Sequence, residues 1–377
     1  MTARFTLGIE EEFQLVDLQT GDLRSCADAM IEKGMNSLGE QLKPEMSQST
    51  IELVSNILPD IAAARKEVYA TRAALSQLIA EEGLGLISAG THPTASWRDQ
   101  KNSEGERYVE LAEEYQDVVR SDLIFGLHVH VGVEHKDLAI VVMNQVRTWL
   151  PHLLAFSTNA PFWSGRMTGL KSYRAVQWKR FPRSGVPYIF SSWQDFDSYV
   201  QDLVDMGCID DGKRIWWDVR PHAYFDTIEF RVCDMPSTVE DTLAIAALCQ
   251  ALVAKLTRLY EQGKDIPVLK SRYIEENKWR AMRYGLDAEV VDFPLRRRLS
   301  MRDSLRELLD FVDEVIDELG SRREMNHIRV LLDDSYGTGA DHQMAMYRET
   351  GDAQKVIQFL LEQTMRGVAT DAVEMRE

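Results

Sequence analysis

The chain has 377 residues, 45% of them hydrophobic, 9% aromatic and 27% charged, a balance that suits a globular protein with one elaborated domain or two interlocked ones. A formal net charge of −17 argues against a general nucleic-acid-binding surface, which needs a basic stripe, but it leaves room for a nucleotide held by local cations. Charges interrupt the apolar stretches within a helix's length, residues 1–5 run almost straight into a strand, and four scattered cysteines lack metal or disulfide spacing, so the expectation is a cytoplasmic protein with reduced thiols and no membrane partner.

Residues 5–16 alternate as a strand does. Leu7, Ile9, Glu11 and Phe13 fall on one face, and Glu10, Glu12 and Gln14 on the other. Strand rise places the Glu10 and Glu12 carboxylates about 7 Å apart on one side. Such a pair repels itself unless cations intervene, and hard oxygen ligands at this spacing suit Mg²⁺ bridged to phosphate. An edge strand with a merely solvated polar face is the structural alternative.

Residues 43–57 read as a second strand or strand pair. Glu45 and Glu52 lie seven apart, which puts them on opposite faces of a regular strand, so a bend or bulge near Ser47–Ser49 is required if both serve one site. Residues 59–82 have helical apolar spacing, and 84–90 read as a buried strand. After a helix over about 104–119, residues 123–133 alternate again. Gly126, His128, His130 and Gly132 share one face, and the glycines leave room beside the histidines for something bulky. A His-x-His strand could also belong to a metal-dependent barrel hydrolase. That architecture requires regular strand-helix alternation, whereas the strands here follow one another as in an antiparallel sheet.

Residues 136–159 are mainly helical around Pro151. Residues 160–187 form a long loop rich in Gly, Pro, aromatics and bases, including Tyr173 and Arg174, and this concentration of positive charge suits a cover over an anion. A short helix over 195–206 precedes strands at 215–221 and 227–234. In the second, Glu229 and Arg231 share a face, an acid for metal beside an arginine for a phosphoryl oxygen, or else a cross-strand ion pair. From 237 onward the chain is helical, with Ser300 and Asp303 as a capping pair. The Gly-rich run Tyr336–Gly339 is too short and wrongly placed for a dinucleotide or phosphate loop.

Acids and histidines on one face of several strands, with apolar residues on the other, predict an α+β fold: a curved, mainly antiparallel sheet with helices packed on its outer face. One catalytic unit spanning 1–377 is expected, with the strands mostly within 1–235. Clustered carboxylates, a histidine, arginines and no nucleophilic Ser or Cys arrangement fit phosphoryl transfer from ATP.

Gly8–Glu12, Glu45 through Leu53, Gly90–Pro93, Gly126–Gly132, Trp217–Pro221, Glu229–Val232 and Arg283–Leu286, in that order, make the chain resemble the bacterial YbdK-like carboxylate-amine ligases, or type-2 glutamate-cysteine ligases. The resemblance implies a glutamine synthetase-like sheet, ATP, two or three Mg²⁺ ions, an amino-acid carboxylate and an amine as small-molecule substrates, and a homodimer. It carries metal-ligand roles to Glu10, Glu12, Glu45, Glu52, His128 and Glu229, and a phosphoryl-steadying role to Arg231. Arg174, His130, Tyr173, Arg220 and Arg283 are candidates for substrate or phosphate binding, and Glu11 is expected to face away. A guanidino-type kinase and a non-catalytic nucleotide or amino-acid sensor are the competing functions on the same sheet.

Overall fold

The computed structural model describes residues 4–264 and 266–368; Met1–Ala3 of the N-terminal reading and 369–377 of the single-unit reading lie outside them. The alternation in residues 5–16 becomes β1 (Leu7–Asp17), the central strand of a seven-stranded sheet. The others are β2 (Leu42–Pro44), β3 (Thr50–Val54), β4 (Leu84–Ile87), β5 (Gly126–Gly132), β6 (Val219–Pro221) and β7 (Thr227–Asp234). Their order is β6-β7-β5-β1-β3-β2, with β4 also paired to β1, and all pairings are antiparallel. Leu7, Ile9 and Phe13 of β1, with Leu127, Val129 and Val131 of β5, are buried on one face, as a period of two demands.

Helices cover that apolar face. Ile61–Ala80 begins where the Asp60 carboxylate accepts the Ala63 N–H at 2.8 Å. Val239–Glu261 begins at Thr238, whose hydroxyl accepts the Asp241 N–H at 3.2 Å. The latter departs from the expectation that charge breaks every apolar stretch: among the described residues it alone is long and apolar enough to cross a membrane, and 83% of its apolar 18-residue window is buried, as in a core helix packed on this sheet. Ser300 caps Met301–Ile316 as its sequence spacing predicts.

Glu11 points into this packed side. Its carboxylate is paired with the fully buried Arg72 guanidinium and accepts the Thr242 hydroxyl at 2.9 Å. Removing one partner strands a buried charge. Arg72→Met is expected to lower stability by about 3–5 kcal/mol, and denaturant unfolding checks it; a loss within the range of a surface substitution would show that the pair is not structural.

The bend expected near Ser47–Ser49 is present as a turn, and two other features, residues 160–187 and 104–119, resolve differently. Glu45 and Glu52 do not share a strand, because β2 and β3 are joined by a turn through Ser47–Ser49 that reverses the chain. The odd spacing therefore carries no face penalty. Residues 160–187 are not one loop: they hold a ribbon pairing Phe162–Trp163 with Arg166–Met167, and a helix, Tyr173–Trp178, started by the Ser172 hydroxyl accepting from Ala175 N–H at 3.2 Å. Short polar runs of this kind have little intrinsic preference and are ordered by what they dock against. The predicted helix at 104–119 breaks at Gln116, which has φ +50°, giving Glu106–Tyr115 and Asp117–Arg120.

Candidate active site

The polar faces of β1, β3, β5 and β7 line a cleft of about 270 Å³. Its chemistry follows from strand register. Glu10 lies opposite His128, Glu12 opposite Glu52, and His130 opposite Glu229, which itself lies opposite Arg220. Directly opposed side chains on one face meet, so residues separated by up to about 220 positions become neighbours. Glu45, at the end of β2, completes the acidic side of the cleft.

Two ligand triads result. Glu10, His128 and Glu229, and separately Glu12, Glu52 and His128, each present donor atoms within 4.8 Å of one another. His128 Nδ1 lies 2.9 Å from Glu10 Oε2, while its Nε2 is 3.6 Å from Glu12 Oε1, so one imidazole stands between both groups. His130 Nε2 meets the other Glu10 oxygen at 3.0 Å, and its Nδ1 meets the Thr227 hydroxyl at 3.2 Å.

Charge divides the cleft into two halves. Burial works to raise the Glu229 pKa, but the Arg220 and Arg231 guanidinium groups outweigh it and hold the carboxyl far below its usual range. Arg220 Nε is 2.7 Å from Glu229 Oε2, and Arg231 pairs with Oε1. Glu10 likewise is driven down against its burial by His130 and His128. On the other side, burial followed by the Glu45 charge pushes Glu12 up to about 8. Glu52 rises for the same reason, with Glu10, Glu45 and Glu12 as its charged neighbours, and Glu45 rises with burial. Among the described residues no lysine or arginine is ion-paired with these three acids; Glu12 accepts only the Gly126 N–H and the long His128 contact. Arg174, Arg107 and Arg231 offset part of this negative charge without pairing with it, and a largely buried set of hard oxygens with one imidazole matches what a divalent cation requires.

Arg231 sits where β7 changes register against β5 between Phe230 and Cys233. The irregularity lets its guanidinium stay beside Glu229 with the ring of Trp178 at 5.2 Å, and its Nε has no hydrogen-bond partner among the described residues. Arg174, from the Tyr173–Trp178 helix, donates from Nη2 to the Arg231 carbonyl at 3.2 Å and lines the neighbouring niche with Glu12 and Glu45. Gly126 exists for this contact, since a Cβ there would lie 2.2 Å from Arg174 Nη2. Gly132 similarly admits the Thr6 hydroxyl. The glycines beside the histidines thus make space for the protein itself.

The structure therefore brings Glu10, Glu12, Glu45, Glu52, His128, Glu229, Arg220 and Arg231 to one cleft, with His130 beside them and Arg174 in the adjoining niche. Tyr173 and Arg283 are placed elsewhere: Tyr173 packs against Trp163 with ring centroids 5.5 Å apart, and Arg283 lies over Tyr284 at 4.8 Å. Sequence reasoning missed Asp122, Arg107, Lys213 and His222, which also line the cleft. Asp122, pushed up to about 7 by burial and then by Glu45, precedes the alternating run and so carries no face signal of its own.

Residues 6–367 match the model of glutamate-cysteine ligase family 2. A Solibacter usitatus protein named provisionally as glutamate-cysteine ligase 2 is 46% identical over 368 residues, covering 97% of this chain and 95% of that protein. A Sorangium cellulosum protein of the same name is 46% identical over 370 residues, covering 98% of each. The fold is shared with a Francisella tularensis glutamate-cysteine ligase solved in complex with AMP (TM-score 0.71, 15% identity, 98% of this chain and 89% of that one). It is shared also with a Pasteurella multocida bifunctional glutathione synthetase (TM-score 0.70, 13% identity, 97% and 53%). On the strength of the end-to-end match and the near-half identity, the chain belongs to glutamate-cysteine ligase family 2 and is an ATP-dependent ligase of the C–N bond-forming class.

Proposed function

We propose that the enzyme joins the side-chain carboxylate of glutamate, or of a close analogue, to the amine of cysteine or a related amino acid through an acyl phosphate. The observation that carries this reading is the convergence of five glutamates and His128 with Arg231 in one cleft. A carboxylate is a poor acyl donor because its leaving group is oxide. In the first step a carboxylate oxygen bonds to the γ-phosphorus of ATP and ADP departs; in the second the amine nitrogen bonds to the acyl carbon, phosphate departs, and the ammonium proton passes to a base. The names of the relatives support glutamate and cysteine as the pair.

Bringing carboxylate and triphosphate together requires cancelling several negative charges. Glu10, Glu12, Glu45, Glu52, His128 and Glu229 would hold Mg²⁺, which would supply Lewis-acid neutralisation of the phosphates. Arg231, whose side chain lines the cleft beside Glu229, would bind a phosphoryl oxygen. Arg220 is placed to position Glu229: besides that carboxylate, its Nη1 donates to the Ile215 carbonyl at 2.6 Å and the Lys213 carbonyl at 3.0 Å, which fixes the fork. Trp178 and Phe181 close one side against water, which would otherwise hydrolyse the intermediate.

The deciding experiment incubates the protein with ATP, Mg²⁺ and a panel of amino acids and amines, and identifies products by mass spectrometry. Orthophosphate release that needs both an amino acid and an amine, with an amide product of their summed mass less water, is the expected result. A phosphorylated small molecule as the end product would point to the kinase, and no ADP with any mixture to the sensor.

Metal binding has its own signature. Glu12, pushed up to about 8 by burial and then by Glu45, holds a proton near neutrality in the metal-free protein, and burial and the neighbouring acids raise Glu52 in the same direction, so Mg²⁺ must displace protons. Affinity is expected to rise with pH through the Glu12 value of about 8, with protons released on binding below that point; calorimetry in buffers of different ionisation enthalpy measures both. A pH-independent affinity without proton release speaks against these ligands.

A further inference from the structure

Among the described residues two arginines are 0% exposed, Arg72 and Arg147, and their surroundings differ. Arg72 meets the Glu11 carboxylate and donates from Nη1 to the Ser237 and Thr364 carbonyls at 3.1 and 3.2 Å. The Arg147 side chain makes one hydrogen bond: Nη2 donates to the Ser271 hydroxyl at 2.6 Å, while Nε and Nη1 have no partner among the described residues. Burial alone lowers its pKa, to about 10, with no carboxylate acting on it. A buried cation without a counter-ion is costly, so this position calls for an anion.

Ser271 opens a 14-residue helix, Ser271–Tyr284, whose start no side chain caps. Unsatisfied N–H groups and the positive end of the helix dipole thus add to the potential at the residue that Arg147 touches. Lys270 and Arg272 flank it, both exposed, and neither has an ion-pair partner among the described residues. Glu275, the first acid along the helix, is already paired with Lys179 at 2.7 Å. Ser271 itself is half-buried, and residues 266–270 before it form neither helix nor strand, with Val268 39% exposed.

An oxyanion in solution has no exposed part of Arg147 to meet, whereas one carried on the Ser271 oxygen is delivered to it. We propose that Ser271 is a phosphorylation site whose phosphate is held by Arg147 and the start of the Ser271–Tyr284 helix. The Ser271 oxygen bonds to the γ-phosphorus of ATP on a serine protein kinase that reads the flanking basic residues. The bond from that phosphorus to the β–γ bridging oxygen breaks, ADP leaves, and the hydroxyl proton passes to the kinase's base. Phosphoserine brings three acceptor oxygens and a charge of about −1.5 to −2, which match the guanidinium and the helix N–H groups. The same helix braces the wall of the catalytic cleft. Its Met282 carbonyl accepts the Lys171 and Ser172 N–H groups at 2.8 and 3.1 Å, and Lys278 pairs with Asp218, whose carbonyl accepts the Arg231 N–H at 2.8 Å. The inference goes beyond the ligase reading and holds whichever substrates are joined.

The test uses the full chain. Treatment with a basic-directed serine kinase and ATP, followed by peptide mass spectrometry, is expected to place phosphate on Ser271. The chain carrying phosphoserine encoded at 271 is expected to melt at least about 2 °C above its parent. Its second phosphate pKa, followed by ³¹P resonance, should fall at least about half a unit below the usual value of about 6. Arg147→Met is expected to remove both shifts, yet to leave the unphosphorylated chain at least as stable as its parent, because it deletes an unpaired buried charge. No phosphate on Ser271, a phosphorylated chain that unfolds or melts no higher, a phosphate pKa that Arg147→Met does not move, or an unphosphorylated Arg147→Met chain that melts well below its parent each overturns the proposal. So does a melting shift produced by inorganic phosphate alone and abolished by Arg147→Met, which would put a free ion there instead.

Discussion

Glu12→Gln is expected to abolish ATP-dependent turnover, by about a thousandfold or more, while making the metal-free protein more stable than its parent at alkaline pH. The two effects share a cause. Glu12 is largely buried beside Glu45 and its pKa is pushed up to about 8, so the folded protein without metal holds a proton that the unfolded chain gives up near the ordinary value of 4.5. The stability tied to that proton is fully present below about 4.5 and is lost as pH climbs to about 8. Glutamine cannot ionise, and its carbonyl can still accept the Gly126 N–H, so the variant escapes that loss. The gain is on the order of a few kcal/mol at most, and it should vanish toward pH 4.5. Thermal melts in chelator across this range check it, and Mg²⁺ should restore the parent but not the variant. A variant that turns over normally, or is less stable at high pH without metal, contradicts the assigned role.

Arg231→Ala is the second large effect. A guanidinium meeting charge that develops on a transferred phosphoryl group is worth about 10³–10⁵ in rate, and a loss of that order is expected in single-turnover ADP formation. Arg231 also neutralises Glu229, but Arg220 remains bidentate on that carboxylate through Nε at 2.7 Å and Nη2 at 3.2 Å, so the variant should fold. Arg231→Lys is expected to recover little, because an ammonium cannot hold Glu229 and present a second donor in the same plane. Far-ultraviolet circular dichroism and Mg-ATP affinity distinguish a rate defect from a folding defect. Retained turnover in the alanine variant would remove Arg231 from the phosphoryl step.

The faces of the strands were legible in the sequence because side-chain direction along a strand has a period of two and needs no partner to define it. Glu10 and Glu12 opposite Glu11, and His128 and His130 opposite Val129, are read from alternation alone, and the structure keeps each on its side: the Glu11 carboxylate meets Arg72 and Thr242, and the Glu10 carboxylate meets His128 and His130. The helices at Ile61–Ala80 and Met301–Ile316 were equally visible from their apolar spacing, the second also from its Ser300 cap. The resemblance added metal-ligand roles to Glu10 and Glu12, which alternation already grouped, and also to Glu45 and Glu52, which it did not. The odd spacing of Glu45 and Glu52 called for a bend near Ser47–Ser49, and the turn between β2 and β3 lies there; that it reverses the chain into an antiparallel pair was left to the tertiary structure.

What the sequence by itself determined is local: which residues can face together, where helices begin, and that acids, histidines and arginines recur on the polar faces. Only the tertiary structure decided the register that sets Glu12 against Glu52 and Glu229 beside His130, the irregularity in β7 at Arg231, and the docking of the Tyr173–Trp178 helix that puts Arg174 against Gly126. Those placements come from packing between segments far apart in the chain, and no local preference encodes a distance between them.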